Sequence, residues 1–371
     1  MKKRVISILL VCFFLLICGC SGTVTVDSTV TQDAKFGAAV IDLSQEEFES
    51  AGFELGDSVD VEFGNGLSIK DIPYYNGYYV KNEFPVLIAY PGFDKIRVTY
   101  NNLGIWNVAA LEENLKITIS LNTKQKYSAI QESLGQIYSF ERNKYESDEQ
   151  FSNFRALSGG NLKENYLFRG ASPVDNSRNR APYTDGLLKE SNIGFVIDLA
   201  DSEEDIQGYF SADDFSSEYT KALYEKGCVI LLDMGSGYQS EEYRQKFGSG
   251  LKAMLEYEDV PVFIHCMEGK DRTGFVCMLL EALVGATYDE MLTDYMITYE
   301  NYFSVTKDKT PEKYEAIADL YFNSFVEYLH GTSDLDTLKS ADYTEDAKAY
   351  LRAGGMTDEE IQTLIERISN H

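Results

Sequence analysis

Residues 265–274 read His265-Cys266-Met267-Glu268-Gly269-Lys270-Asp271-Arg272-Thr273-Gly274. They follow the apolar run 260–264 and precede a second apolar stretch containing Phe275, Val276, Met278, Leu279, Leu280 and Leu283. A strand, a loop and a helix N-terminus in that order form an anion-binding device. Successive loop N–H groups converge on one point, and the helix dipole adds positive potential there. Gly269 allows close backbone approach and Gly274 allows close helix packing. A cysteine at the base of such a loop is expected as a thiolate nucleophile. Arg272 can return across the loop and grip two oxygens of a phosphoryl group through its planar fork. Thr273 can donate a hydrogen bond to the thiolate.

This grouping suits phosphate-monoester chemistry. Cys266 attacks phosphorus in line to give a phosphocysteine, while the N–H cradle and Arg272 stabilise the charge on the transferring group. An acid protonates the leaving oxygen and then, as a base, activates water. No cofactor or metal is called for, and three histidines in the whole chain (His265, His330, His371) leave little for a His-rich metal site. The substrate would be held by Met267, Glu268, Gly269, Lys270 and Thr273. His265 is grouped with these substrate-site residues, either as a ligand or base or, preferably, as a buried ring that bonds the loop backbone and orients the thiolate. Lys270 has two readings: a second cation for the substrate, or an ion pair with Glu268 or Asp271.

The flanking pattern supplies the elements that must position this loop. From about residue 150, short apolar runs at 195–199, 229–233 and 260–265 alternate with helical stripes. Such runs suit strands of a sheet covered on both faces. One stripe holds Tyr243, Phe247, Leu251, Met254 and Leu255; another holds Met291, Leu292, Tyr295, Met296 and Tyr299. Thr310-Pro311 opens a third, with Tyr314, Ile317, Tyr321, Phe325 and Tyr328 on one side. The fold class is therefore α/β, with a mostly parallel sheet flanked by helices over 126–330. Residues 331–371 read as a helical tail. Its first helix stops at Gly354-Gly355, and Thr357 and Glu360 form a capping box for the second. Residues 46–125 alternate as short strands with turn signals at 64–66, 76–77 and 91–92, which predicts a small β domain. Its tyrosines Tyr74, Tyr75, Tyr78 and Tyr79 are either a binding face or, more ordinarily, half-buried sheet aromatics.

The loop resembles the Cys-x5-Arg signature of the protein tyrosine phosphatase superfamily. Upstream, Asn153-Phe154-Arg155-Ala156-Leu157-Ser158-Gly159-Gly160, Leu167-Phe168-Arg169-Gly170 and Val196-Ile197-Asp198-Leu199 are similar to the ordered motifs of the bacterial tyrosine phosphatase family with a Gly-Lys-Asp-Arg-Thr-Gly loop. The resemblance covers about 150–330. It implies a metal-independent, cysteine-dependent phosphatase. Lys270 is as in relatives that act on inositol lipids as well as phosphotyrosine. Glu268 and Asp271 are placed as in the myotubularin-like phosphoinositide phosphatases, although Glu268 also adds negative charge at the pocket mouth.

Three aspartates compete as the general acid: Asp271 within the loop, and Asp198 and Asp233 at the ends of adjacent strands, where active-site residues gather in open α/β sheets. The family's usual Asp-Leu-Arg reads Asp198-Leu199-Ala200 here, and there is no Trp-Pro-Asp loop, the only tryptophan being Trp106. Residues 198–218 carry eight acids and no Lys or Arg, which reads as a solvated loop or a substrate-screening lid.

The N-terminus has the form of an address. Lys2, Lys3 and Arg4 precede the apolar run 5–18, which is too short for a comfortable membrane span. Ile17-Cys18-Gly19-Cys20 resembles a bacterial lipobox, which implies removal of the signal peptide 1–19 and lipid attachment at Cys20. The competing reading is an uncleaved anchor. Either places the body outside the cytoplasm at the cell membrane. Residues 20–45, rich in Ser, Thr and Asp, read as a tether. Of six cysteines only Cys228, Cys266 and Cys277 fall in the body, which is no disulfide framework; Cys228 and Cys277 read as core thiols. With 33 Lys and Arg against 60 Asp and Glu, a formal charge of −27 argues against nucleic-acid partners. The expected partners are a phosphorylated protein or an inositol phosphate or phosphoinositide as substrate, and the membrane through the anchor. The competing functions are a phospho-ligand binding protein with weak catalysis, and a surface adhesin carrying a phosphatase fold.

Overall fold

A computed structural model describes residues 24–135 and 138–370. Its N-terminal part is a closed seven-stranded barrel made of β1 (Thr25–Gln32), β2 (Ala39–Ser44), β3 (Ser58–Phe63), β4 (Ser68–Tyr75), β5 (Pro85–Ile88), β6 (Lys95–Tyr100) and β7 (Leu115–Thr123). The order is β1-β2-β6-β5-β4-β3-β7, closed by antiparallel pairing of β1 with β7. Only β4 and β5 pair in parallel. Alternation fills the interior: Val59, Val61, Ile96, Val98, Ile117 and Ile119 are buried there with Phe48, Phe53 and Trp106.

The second sheet comprises β8 (Arg155–Ala156), β9 (Leu167–Gly170), β10 (Phe195–Asp198), β11 (Val229–Leu231) and β12 (Val262–His265), in the order β11-β10-β12-β9-β8. The four strands β11, β10, β12 and β9 are parallel, and β8 is an antiparallel edge. The central strand β12 is buried throughout, as its run Val262, Phe263, Ile264 demands. Burying each such side chain stabilises by roughly 1.5–3 kcal/mol. Register aligns Asp198, His265 and Gly170 at the C-terminal edge of the sheet. The helix Asp271–Leu283 packs on β9 and β12, and the helices Glu218–Glu225 and Glu241–Glu256 pack on β11. Further helices follow at Tyr288–Phe303 and then from Pro311 to His330, the latter with one wide turn at Ala318–Phe322. No helix among the described residues is long and apolar enough to cross a membrane.

Two segments differ from the sequence reading. The expected tether does not stay apart: Thr25–Gln32 and Ala39–Ser44 are strands of the barrel, so the β unit begins near residue 24. Val30, Ala39 and Ile41 point inward, while the polar neighbours that suggested a tether face solvent. The acidic stretch is not an irregular loop, because Glu203–Phe210 is a helix opened by a capping box of Ser202 and Asp205. The tail packs on the body, as a docked helical hairpin would. Leu351, Ile361, Leu364 and Ile368 belong to the same core as the sheet, and Arg367 Nη1 donates to the Met254 carbonyl at 2.6 Å. Its capping box at Thr357 and Glu360 is present, and the preceding helix ends at Gly354.

Candidate active site

The segment 266–270 leaves the C-terminal end of β12 and feeds the helix Asp271–Leu283, where ligands gather in parallel sheets. Its curvature depends on Gly269, whose φ is +65° and whose absent Cβ would meet the Gly170 carbonyl oxygen at 2.2 Å. Gly274 lies where a Cβ would meet the Tyr295 ring at 2.7 Å.

The loop's carbonyls are claimed from outside. Ser172 N–H donates to Met267 O at 3.1 Å, Tyr302 Oη to Glu268 O at 2.8 Å, and Asn153 Nδ2 and Arg169 Nη2 to Gly269 O at 3.2 and 2.9 Å. A trans peptide points its C=O and N–H in opposite directions. With the oxygens claimed there, the N–H groups of Glu268, Gly269 and Lys270 face the opposite side of those peptides. Arg169 is fixed by a buried charge cluster: Asp294 binds Arg155 Nε at 2.8 Å and Arg169 Nη1 at 2.6 Å. Burial opposes ionisation of Asp294, yet the two guanidiniums hold its carboxyl below the usual range.

Cys266 is buried, 4% exposed, and with Arg272 it lines a cavity of about 210 Å3 between the barrel and the second sheet. Arg272 Nη1 donates to the Met234 carbonyl at 2.8 Å, which ties the guanidinium to the segment that follows β11. Thr273 Oγ1 is buried and has no hydrogen-bond partner, so the expected bond to Cys266 is not formed in this structure. His265 is buried behind the loop, stacked on Phe263, with Nδ1 3.4 Å from the Cys266 carbonyl and Nε2 3.7 Å from Asp198 Oδ2. Burial pushes its pKa down to about 4, so the ring is neutral.

The carboxylates separate by position. Asp271 lines the cavity, with Oδ1 3.6 Å from Lys270 Nζ. Burial would lower the Lys270 ammonium, but Asp271, Tyr90, Tyr299 and Glu268 around it hold it well above its usual range. Glu268 also lines the cavity; burial pushes it up to about 7, and Tyr138 Oη bonds its Oε1. Asp198 is not among the cavity residues. It is fully buried, and its Oδ1 caps the following turn by accepting from the N–H groups of Ala200 and Asp201 at 2.8 and 3.1 Å. Burial raises its carboxyl. Asp233 is exposed and also lies outside the cavity. Among the described residues no group of His, Cys, Asp and Glu is placed to hold a metal ion. Cys277 is buried in the core, which pushes its thiol up to about 12, and Cys228 Sγ lies 2.8 Å from Tyr257 Oη.

Sequence reasoning missed several participants. Asp201 is pushed up to about 8 by burial and by Asp198, and lies 3.7 Å from Lys35 of the barrel. Tyr138 and Asp294 carried no local signal. Asn153 and Arg169 lie within upstream motifs of the sequence, and only the fold brings both to the Gly269 carbonyl. Of Tyr74, Tyr75, Tyr78 and Tyr79, the first two are buried sheet aromatics, while Tyr78 and Tyr79 line the cavity.

Cys266 and Arg272 thus share one cavity with a loop whose carbonyls are bound by Ser172, Tyr302, Asn153 and Arg169. The chain belongs to the tyrosine phosphatase family, whose model matches residues 149–370. The expected family therefore holds, and the match runs through the helical tail. The barrel lies outside it. Two solved structures are similar to parts of the chain. Pseudomonas aeruginosa TpbA shares 16% identity, covering 57% of this chain and 96% of that one, at a TM-score of 0.23. An uncharacterized conserved protein from Thermotoga maritima shares 16% identity over 25% of this chain, also at a TM-score of 0.23, and the chain spans 35% of that protein's length. No curated protein matches the chain.

Proposed function

We propose that this phosphatase hydrolyses phosphate monoesters through a phosphocysteine. The observation that carries the reading is the outward capture of the loop carbonyls beside Cys266 and Arg272 in one cavity. Cys266 Sγ forms a bond to phosphorus as the ester P–O bond breaks. The loop N–H groups and Arg272 offset the charge on the transferring group. Asp271 gives its proton to the leaving oxygen. It then takes one from a water that attacks phosphorus and breaks the S–P bond, releasing phosphate and restoring the thiolate. Loop N–H groups and Arg272 supply the positive charge, so chelators should leave turnover unchanged.

The substrate class is a phosphotyrosine protein. A second reading, inositol phosphates or phosphoinositides, is favoured by Lys270 and Arg97 in the cavity lining. The membrane anchor at Cys20, and with it the extracytoplasmic location, concerns residues outside those described and remains part of the proposal. Turnover of an activated aryl phosphate tests the enzyme reading against a phospho-ligand binding protein. Wild type should turn over and Cys266→Ser should not; equal activity in both would sink the mechanism.

A further inference from the structure

The family match begins at residue 149, so no barrel residue falls within it. One turn of the barrel nevertheless reaches Arg272. Phe36, between β1 and β2, lines the cavity with Cys266, and its ring centre lies 5.7 Å from the guanidinium carbon of Arg272. At that distance the face of an aromatic ring attracts a cation.

The turn is built to hold its place. Asp33 Oδ1 accepts from the N–H groups of Lys35 and Phe36, both at 3.1 Å, and Asp33 Oδ2 binds Arg97 Nη1 of β6 at 2.9 Å. The Gly37 carbonyl accepts from the N–H groups of Ile105 and Trp106 at 2.8 and 2.9 Å. On the catalytic side, Lys35 Nζ faces Asp201 Oδ1 at 3.7 Å and Asp205 Oδ2 at 3.6 Å.

The second support of Arg272 also leans on the barrel. Its Nη1 bonds the Met234 carbonyl, and the residues after Met234 pack on barrel loops. A Cβ at Gly237 would meet the Asn102 carbonyl oxygen at 3.2 Å, one at Gly235 would meet the Lys35 carbonyl oxygen at 3.8 Å, and Asn82 Nδ2 donates to Tyr238 Oη. Among the described residues, no carboxylate forms an ion pair with Arg272. A carboxylate would hold the guanidinium but offset the charge that a phosphoryl group needs. A carbonyl and a ring face hold it and leave that charge in place.

We infer that the barrel completes the active site by positioning Arg272, with Phe36 as the positioning residue that fixes the face of its guanidinium. This rests on the proposed phosphate site and gives the barrel a part in its chemistry.

The test uses the full chain with Phe36→Leu and Phe36→Tyr. Leucine keeps apolar bulk and removes the π face; tyrosine keeps both. Turnover of an activated aryl phosphate and inhibition by inorganic phosphate are measured, with thermal unfolding alongside. Inorganic phosphate has no leaving group, so its affinity reports Arg272 and not a contact of Phe36 with the rest of an ester. Phe36→Leu should lower kcat/KM about tenfold and weaken phosphate inhibition by about the same factor, as loss of a partly desolvated cation–π contact would. Unfolding should not change. Phe36→Tyr should recover most of both losses. Lys35→Glu, at an exposed site, sets the turn against Asp201 and Asp205 and should weaken phosphate inhibition in the same way. Should Phe36→Leu fold poorly, Lys35→Glu decides, and intact phosphate inhibition there would overturn the inference. So would wild-type values in Phe36→Leu, a loss for the ester with phosphate inhibition intact, or a loss that Phe36→Tyr does not recover. A wild-type chain that neither turns over the ester nor binds phosphate would instead overturn the phosphate-site reading.

Discussion

Arg169 donates from Nη2 to the Gly269 carbonyl at 2.9 Å while its Nη1 holds Asp294 at 2.6 Å. One fully buried guanidinium thus ties the phosphate loop to the helix Tyr288–Phe303. Asn153 completes the tie through the same carbonyl and through Thr298 Oγ1 at 3.1 Å. Arg169 and Asp294 do not line the cavity and reach the loop only through its backbone.

Removing one partner should therefore cost both stability and rate. Arg169→Met leaves Asp294 with only Arg155, and breaking a buried pair this way typically costs about 3–5 kcal/mol. Denaturant unfolding should show that loss. Among molecules that stay folded, kcat should fall because Gly269 O loses its strongest donor, and inorganic phosphate should inhibit less well. A stable, fully active variant would contradict the positioning role.

The acid is tested by leaving-group dependence. Asp271→Asn should slow esters with poor leaving groups by about 10²–10⁴-fold, the usual worth of one general acid, and barely affect activated aryl phosphates. Glu268→Gln provides the essential comparison, because Glu268 lines the same cavity and its carboxyl is pushed up to about 7. Leaving-group-dependent loss in Glu268→Gln, with Asp271→Asn near normal, would move the role to Glu268. Asp198→Asn should perturb the turn at Ala200 and Asp201 with no leaving-group dependence.

His265 makes a pH prediction. Its pKa is about 4 in the fold against an ordinary 6.5, so the unfolded chain binds the extra proton first. Its contribution to stability is complete above 6.5 and is lost as pH falls toward 4, by about 3 kcal/mol in all. Stability curves of wild type and His265→Gln should differ in slope over that window. Parallel curves would mean that the ring is charged in the fold.

The anchor is tested by fractionation. Cys20→Ala should move the protein from membranes to the soluble fraction or block processing. Unchanged membrane retention would make residues 5–18 the anchor.

The site and the scaffold were unequally legible. The phosphate loop could be read because its apolar strand, its Gly269 and Gly274, and its helix lie within one short stretch. Thr357 and Glu360 declared a helix start for the same local reason. β1 could not be read: among its Ser, Thr and Asp residues Val30 alone is fully buried, and its inward face is defined by β2 and β7. The Ser202–Asp205 cap was visible in principle but was masked by the surrounding acids. The roles of Phe36 and Tyr90 depend on how the barrel docks, and no local pattern encodes that. Asp294 reads as one acid on an amphipathic helix until Arg155 and Arg169 are brought to it.

The most direct measurement is rapid acid quench of the full chain during turnover of an aryl phosphate, followed by mass spectrometry of its peptides. The account predicts one phosphoryl group on the peptide bearing Cys266, formed before phosphate is released and absent in Cys266→Ser. Steady turnover with no phosphorylated peptide, or with the phosphoryl group on another residue, would contradict it.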